Sequence, residues 1–393
     1  MTIKLYHQVG HNANWNIDSF QDDNIGDGLI LSPVHQPINQ IEKLSSETKG
    51  CSFFDPQFYL PNSQKSKLQT YDFFPEVVSG GFSTIDFSAS AHESAERCIA
   101  FQLGQNFDRV IIPARFYDQM IPNYVEQQEA YTVSPFLQCL KEIDLNKPVY
   151  MTLPVTDHMI KNTSYRSMIL NWVTSHPEVD GVYVFVDIER RRKQIQDIDS
   201  IFEMLRFLAD LKKADLDVVI GYSNTESLLF GLVGEISVTC GTFENTRMFS
   251  IDKFLESDDS RRGPRAKMYI PGLLNWVRIN EAKEIKSVSS ALWADIYQPT
   301  IYGDLAMSAS KEPAFNQPNL YKDYFINFSK QICELSSCSE IERYELLRSW
   351  LKSAQDFYNK IESERIDLDL HSNGDHINPW LSAINKYARE HIS

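Results

Sequence analysis

Eight short runs of apolar, β-branched and aromatic residues recur along residues 28–275, and amphipathic stretches separate them. This alternation indicates βα units and a parallel sheet. Several runs are continuously apolar, as expected of strands that helices cover on both faces. Eight such units over about 250 residues favour a (β/α)8 TIM-type barrel over an open, doubly wound α/β sheet. The predicted strands are 28–33, 51–55, 109–115, 148–154, 181–187, 217–222, 235–240 and 266–271.

The pattern changes after the last of these runs. A closing helix is predicted over 279–297, and a polar, proline-containing connector follows at 311–318. We therefore assign residues 1–300 to the barrel and 311–393 to a C-terminal helical extension. Apolar residues at helical spacing predict the following helices: 134–143, 164–174 and 199–213 in the barrel, and 338–361 and 375–393 in the extension.

Composition limits the class of protein. The chain has 38 Lys and Arg against 53 Asp and Glu, a net charge of −15, which argues against a general DNA-coating protein. No apolar run approaches the roughly 20 residues of a membrane span, and the N-terminus lacks the pattern of a secretion signal. These features predict a cytoplasmic protein that does not engage membranes. Its six scattered cysteines favour reduced thiols.

In a barrel of this kind the ligand site lies at the carboxyl ends of the strands. Asp55 and Asp187 each end a predicted strand, and Glu189 lies two residues beyond Asp187. An ionised group in such a position is costly unless it meets a partner or a ligand. Two convergent carboxylates can share acid and base work, or one can attack a glycosidic carbon. Asp55, Asp187 and Glu189 are therefore the predicted catalytic residues, although each carboxylate could instead pair with an arginine or cap a helix.

Arginines cluster on the loops after these strands. Residues 190–193 read Arg-Arg-Arg-Lys, and residues 261–265 hold three more arginines. Guanidinium groups bind phosphate through paired hydrogen bonds, so a phosphorylated ligand is compatible with the acidity of the chain. The alternative is a solvated, charged loop. The predicted ligand-binding residues are Arg115, Arg190, Arg191, Tyr222, Asn224, Glu244 and Arg247.

Indications of a metal or cofactor are sparse. Cys333 and Cys338 are separated by four residues, and His371 and His376 lie downstream, so the four could form a zinc site. Buried or incidental thiols are the alternative. The glycine-rich loops that bind nucleotide phosphates have no counterpart in the sequence, because Ser79-Gly80-Gly81-Phe82 has neither of their spacings. Zinc is thus the one cofactor for which the sequence gives a hypothesis.

Parts of the chain resemble the tRNA-guanine transglycosylase barrel. The segment 221–229, followed by Val238-Thr239-Cys240 and Thr246-Arg247, is similar in layout to that family's strand, helix and catalytic strand, and 79–82 is similar to its Ser-Gly-Gly-aromatic motif. The resemblance covers about a third of the chain and implies a nucleobase or nucleic-acid ligand, with zinc near Cys333 and Cys338. Val78 and Thr239 stand where the family carries aspartates, which puts its base-exchange chemistry in doubt.

Three functions stay open at this point. The first is a barrel that binds or modifies a nucleotide or nucleic acid at its mouth, by base exchange or N-glycosidic cleavage. The second is a glycoside hydrolase that uses paired carboxylates from Asp187, Glu189 and Glu244, with Tyr222 and Trp276 stacking on sugar. The third is a non-catalytic subunit that docks a protein partner through its C-terminal helices, because fold alone does not fix function.

Overall fold

Eight parallel strands form a single sheet that curls into a nearly closed barrel. The computed structural model describes residues 2–60, 63, 65–74, 90–188, 193–255, 263–311 and 313–392. Neighbouring strands follow the order β3-β2-β1-β8-β7-β6-β5-β4, so the chain runs once around the barrel. The strands are β1 (Lys4–Gln8), β2 (Gly28–Leu31), β3 (Phe53–Phe54), β4 (Val110–Ile112), β5 (Val149–Thr156), β6 (Gly181–Asp187), β7 (Asp217–Ile220) and β8 (Ser237–Gly241).

The barrel closes between its first and last strands. β1 pairs with β2 on one side and with β8 on the other. β3 and β4 form the two edges of the sheet, and the Asp108 amide donates a hydrogen bond to the Ser52 carbonyl across them at 3.0 Å. The predicted (β/α)8 TIM-type barrel with C-terminal helices is therefore confirmed.

Side chains alternate between the barrel interior and the surrounding helices, as the pleat of a strand requires. On β6, Tyr183 and Phe185 point inward, whereas Val182 and Val184 pack against helices. The interior is aromatic: Tyr6, Phe53 and Tyr150 belong to the same buried cluster as the inward residues of β6. The barrel is thus a packed core, and any ligand site must lie at one of its ends.

One predicted strand lies in a different place. The run 266–271 contains β9 (Lys267–Ile270), which pairs antiparallel with β10 (Asn275–Arg278) in a separate hairpin outside the barrel. The missing barrel strand is β1, near the N-terminus, which the sequence did not predict. The prediction failed here because an apolar run reveals that a segment is extended but not which strand it pairs with.

Helices surround the barrel and form the C-terminal part of the chain. Barrel helices begin and end close to the predicted bounds, and the segment 279–297 divides into two helices at Ser289. Among the described helices, none is long and apolar enough to cross a membrane. They are α1 (Asn14–Gln21), α2 (Ile38–Glu42), α3 (Ser46–Gly50), α4 (Ala91–Gly104), α5 (Tyr124–Gln128), α6 (Ser134–Lys141), α7 (Asp157–Lys161), α8 (Thr163–Val173), α9 (Ile198–Lys213), α10 (Ser227–Phe230), α11 (Glu244–Arg247), α12 (Ile279–Val288), α13 (Ser290–Ile296), α14 (Ile301–Ser308), α15 (Pro318–Ser337), α16 (Glu340–Ser363) and α17 (Ile377–His391).

The C-terminal helices pack directly on the barrel. The Arg343 guanidinium on α16 is fully buried and donates to the carbonyls of Gly231 and Gly234, which precede β8, at 3.2 and 3.0 Å. On α17 the Trp380 indole N–H donates to the carbonyl of Ile195, in the loop after β6, at 2.8 Å. The extension therefore shares buried polar contacts with the barrel in addition to apolar surface.

Candidate functional site

Asp55 lies at the carboxyl end of β3 and is completely buried. Its Oδ1 atom accepts a hydrogen bond from the Tyr59 hydroxyl at 2.7 Å and from the Gln57 amide at 3.1 Å, and its Oδ2 atom accepts from the Tyr222 hydroxyl at 3.3 Å. Burial raises the pKa of Asp55 to about 6, although these hydrogen bonds and the charge of Lys253 oppose the rise. The structure thus joins Asp55 to Tyr222, two of the predicted site residues.

Lys253 reaches the same group of residues from the loop after β8. Its Nζ atom lies 3.5 Å from the centre of the Tyr222 ring and 5.2 Å from the ring centres of both Phe249 and Phe254. The Nζ atom is buried and has no hydrogen-bond partner among the described residues. Burial lowers the pKa of Lys253 to about 7, with Asp55 as the opposing charge. We call Asp55, Tyr59, Tyr222 and Lys253 the mouth cluster.

The backbone of this region is strained. Gln57 has φ of 57° and Tyr222 has φ of 48°, values in the left-handed region that side chains other than glycine seldom adopt. Strain of this kind costs about 1–3 kcal/mol per residue and persists where the surroundings hold the residue in place. This backbone conformation brings the Gln57 backbone N–H and the Tyr222 hydroxyl into contact with Asp55. It also allows the Gln57 Nε2 atom to donate to the Tyr222 hydroxyl at 3.0 Å.

Asp187 ends β6 next to Thr156 of β5 and is half-buried. By strand alternation it belongs to the same inward-facing set as Tyr183 and Phe185, so it also lies at the mouth. The other predicted catalytic residue, Glu189, falls outside the described residues, as do Arg190 and Arg191. The pairing of Asp187 with Asp55 in catalysis stays a prediction.

A second group of predicted residues lines a cavity of about 260 Å³ beside the barrel mouth. Glu244 and Arg247 of α11 contribute to its wall immediately after β8, and Trp276 of β10 and Tyr321 of α15 lie opposite. We call it the Arg247 cavity; its lining comprises Phe243, Glu244, Asn245, Arg247, Pro264, Arg265, Lys267, Trp276, Phe315 and Tyr321.

Arg247 is a charged residue of this cavity that is almost completely buried. It is 7% exposed, and its guanidinium carbon lies 3.8 Å from the centre of the Trp276 ring. Its Nε and Nη1 atoms have no hydrogen-bond acceptor among the described residues, and burial lowers its pKa. A buried, charged donor without an acceptor is costly, which marks Arg247 as prepared for an anionic ligand.

The other charges of the Arg247 cavity leave it cationic. Burial would raise the pKa of Glu244, but the ion pair with Lys193, at 2.5 Å, holds it below its usual range. Lys267 and Arg265 add positive charge, and burial lowers the pKa of Lys267, with the nearby Arg247 charge acting in the same direction. Glu244 pairs with Lys193, and the charges of Glu244 and Glu226 also act on Arg247. Three cationic side chains and one carboxylate thus line the cavity.

Two predicted ligand-binding residues have structural contacts away from this cavity's lining. Arg115 is buried, its Nη1 atom donates to the carbonyl of Phe58 at 2.6 Å, and burial lowers its pKa to about 9. Asn224 is also buried, and its side-chain amide donates to the carbonyl of Lys193 and to Gln194, both at 3.3 Å. Asn224 therefore positions the loop that carries Lys193, the partner of Glu244.

The predicted zinc ligands do not come together. Cys333 is exposed on α15, and the Cys338 thiol donates to the carbonyl of Glu334. His376 packs against Trp380, with ring centres 4.6 Å apart. In the part of the chain that the structure describes, no group of three or more His, Cys, Asp or Glu side chains is placed to hold a metal ion. These residues do not fit a zinc site.

Lys253, Lys267 and Tyr321 are site residues that the sequence did not predict. Lys253 stands in the segment Ser250-Ile251-Asp252-Lys253, in which three of four residues are polar, as is typical of a solvent-exposed loop. The flanking Phe249 and Phe254 are the one local sign of burial, since two aromatic residues five positions apart in a loop after a strand suggest that the loop folds onto the barrel. Tyr321 reaches the Arg247 cavity from a helix more than seventy residues along the chain, which local patterns do not reveal.

Together the fold and these two sites define a (β/α)8 barrel protein with a buried acid–lysine cluster at its mouth and a cationic, aromatic cavity beside it. No family model, curated protein or solved structure matches the chain. The structure is that of a TIM-type barrel, a fold that hosts many unrelated functions and so does not by itself indicate a specific family.

Proposed function

We propose that the protein binds a nucleotide in the Arg247 cavity, with the phosphate at Arg247, Arg265 and Lys267 and the base against the aromatic walls. The observation that carries this proposal is the buried Arg247 guanidinium, whose Nε and Nη1 atoms lack acceptors among the described residues, on the wall of a cavity that two further cations line. Bidentate recognition of phosphate is the common role of such a group.

The position of the cavity supports a phosphate ligand. Barrels of this class frequently bind phosphate in the loops after the seventh and eighth strands. Phe243 to Arg247 follow β8 directly, and Glu226, which follows β7, is near enough for its charge to act on Arg247. The cavity therefore occupies the part of the barrel where phosphate groups are commonly bound.

The aromatic walls of the cavity favour a ligand that carries a base in addition to a phosphate, which is a nucleotide. The ring centres of Phe243 and Tyr321 lie 5.3 Å apart, and Phe315 continues this wall at 6.0 Å from Phe243. Base stacking on such rings contributes about 1–3 kcal/mol per base. The volume of about 260 Å³ lies just below the range of about 300–1,000 Å³ of most ligand pockets, which favours a mononucleotide over a duplex.

Phosphate is favoured over sugar as the ligand of this cavity. In the glycoside hydrolase alternative, Trp276 stacks on sugar and Glu244 reacts, but here Trp276 stacks on Arg247 and Glu244 pairs with Lys193. We do not propose base exchange, because Thr239 stands at a position where the resembling family has its nucleophilic aspartate. The Thr239 hydroxyl is buried and donates to the carbonyl of Ile220.

Calorimetric titration with a ligand series tests the proposal. We expect AMP or GMP to bind, whereas adenosine, ribose 5-phosphate and inorganic phosphate should each bind at least tenfold more weakly, because each lacks the group that one side of the cavity recognises. A tenfold loss corresponds to about 1.4 kcal/mol. Equal affinity for inorganic phosphate and the mononucleotides would show that the aromatic walls do not contact a base. Binding of none of these ligands would refute the proposal.

Substitutions of Arg247 should show how much of the mononucleotide affinity comes from its charge and how much from the shape of its guanidinium group. We expect Arg247→Met to weaken mononucleotide binding at least tenfold and Arg247→Lys to weaken it less, since a charged hydrogen bond contributes about 1.5–3 kcal/mol. Arg348→Met is the matched control, because Arg348 lies on α16 with 39% of its side chain exposed. Unchanged affinity in Arg247→Met, with the variant folded, would place the nucleotide elsewhere.

A further inference from the structure

We propose that Lys253 is a nucleophilic amine that forms an imine with a small aldehyde or ketone at the barrel mouth. This site is separate from the Arg247 cavity and does not depend on the nucleotide proposal. Three features of the mouth cluster support the proposal: an amine that is buried and has no hydrogen-bond partner among the described residues, aromatic rings around that amine, and the Asp55 carboxyl group, which accepts a hydrogen bond from the Tyr222 hydroxyl.

The amine is held in an apolar environment. Tyr222, Phe249 and Phe254 surround the Nζ atom, and the rings pack on one another, with Phe249 5.6 Å from Tyr222. The 3-10 turn Ile251–Phe254 fixes this placement, and the Ser63 hydroxyl donates to the Phe254 carbonyl at 2.7 Å. A lysine desolvated in such a pocket is activated as a nucleophile because its neutral form is favoured.

The neighbouring groups can move the protons that the reaction requires. The Tyr222 hydroxyl, whose ring lies against the Nζ atom, donates to Asp55. His35 is near enough for the charge of Lys253 to act on it, but burial lowers the pKa of His35 to about 3, which makes it a poor proton acceptor. Asp55, through Tyr222, is therefore the group that exchanges protons with Lys253.

The chemical step is a condensation without change of oxidation state. The neutral Nζ atom forms a bond to the carbonyl carbon, and the π electrons of the carbonyl move to its oxygen. In the resulting carbinolamine the carbon–oxygen bond breaks, the oxygen leaves as water with the two protons that the amine loses, and a carbon–nitrogen double bond remains. Asp55, through Tyr222, accepts a proton from nitrogen and returns one to the departing oxygen.

Reductive trapping tests this proposal on the folded, full-length protein. Glycolaldehyde and cyanoborohydride at neutral pH convert an imine into a stable secondary amine, which peptide mass spectrometry locates. We expect Lys253 to be modified at least tenfold faster than the exposed Lys286 of α12. The reason is that burial lowers the pKa of Lys253 to about 7, so a substantial share of this amine is neutral and nucleophilic at neutral pH.

Variants distinguish a reactive amine from a structural cation. Lys253→Arg keeps a charge over Tyr222 but cannot form an imine, so the fast site should disappear while Lys286 reacts as before. Asp55→Asn should slow the modification of Lys253, and Arg348→Met, at an exposed arginine outside both sites, should leave it unchanged. Modification of Lys253 only after unfolding in urea, or no faster than that of Lys286, would overturn the proposal.

Discussion

Arg343→Met should lower the free energy of unfolding by about 3–5 kcal/mol. In addition to the two carbonyls before β8, the Arg343 Nε atom donates to the Leu335 carbonyl on α15 at 2.8 Å, so one side chain serves three acceptors. The substitution leaves these buried carbonyls without their donor, and hydrogen bonds to a charged group contribute about 1.5–3 kcal/mol each. Urea unfolding followed by circular dichroism measures the change.

Two comparisons make this result specific. Arg348→Met, five residues further along α16, removes an exposed arginine paired with Glu345 and should change stability by less than about 0.5 kcal/mol. Because Arg343 joins the extension to the barrel, we also expect a single unfolding transition in the wild-type protein. Loss of the extension alone, as a separate early transition in Arg343→Met with the barrel unchanged, would show that the two parts fold independently.

The barrel could be predicted from the sequence because seven of its strands carry their own apolar pattern. β1 could not, since Lys4, His7 and Gln8 interrupt it. His7 and Gln8 are buried and bond to residues distant in sequence: the His7 ring bonds to the Ile25 carbonyl at 2.8 Å, and the Tyr183 hydroxyl donates to the Gln8 Oε1 atom at 3.0 Å. The run at 266–271 is locally as strand-like as the others, and its hairpin partner follows a turn in which Leu274 has φ of 51°.

Some of the residues in the two candidate sites could be predicted because they lie at or shortly after the end of a strand. Asp55, Tyr222 and Arg247 all lie at or just after a strand end, and the structure assigns each to the mouth cluster or the Arg247 cavity. Arg115 satisfies the same rule, but it is buried and donates to the Phe58 carbonyl. Position at a strand end does not show whether a side chain turns toward a ligand or into the core. The position of the Lys253 side chain depends on how its loop folds back onto the barrel, which strand patterns in the sequence do not describe.

Stability should depend on pH through Asp55 and Lys253, with their combined cost greatest between about pH 6 and pH 7. Burial raises the pKa of Asp55 from 3.8 to about 6, so its favourable contribution is complete below pH 3.8 and is lost as the pH rises to about 6. Burial lowers the pKa of Lys253 from 10.5 to about 7, so its contribution is complete above pH 10.5 and is lost as the pH falls to about 7. Between these values both groups are charged and buried.

The double variant Asp55→Asn/Lys253→Met removes both charges and isolates their effect. His35 titrates nearby but is present in both proteins, and burial lowers its pKa to about 3. Urea unfolding at about pH 5, 6.5 and 9 should show the wild type least stable, relative to the double variant, at about pH 6.5. Between about pH 6.5 and pH 9 the free energy of unfolding of the wild type should rise, relative to that of the double variant, by at least about 1.4 kcal/mol, the equivalent of one pKa unit.

Each single variant should be less stable than the double variant at about pH 6.5, because it leaves one buried charge without its opposite. Removing one member of a buried pair costs about 3–5 kcal/mol, whereas replacing both by neutral groups is often tolerated. A difference between wild type and double variant that does not change with pH would mean that Asp55 and Lys253 titrate as they do in water. In that event the Lys253 amine is protonated at neutral pH, and slow modification of Lys253 by glycolaldehyde should accompany the flat pH profile.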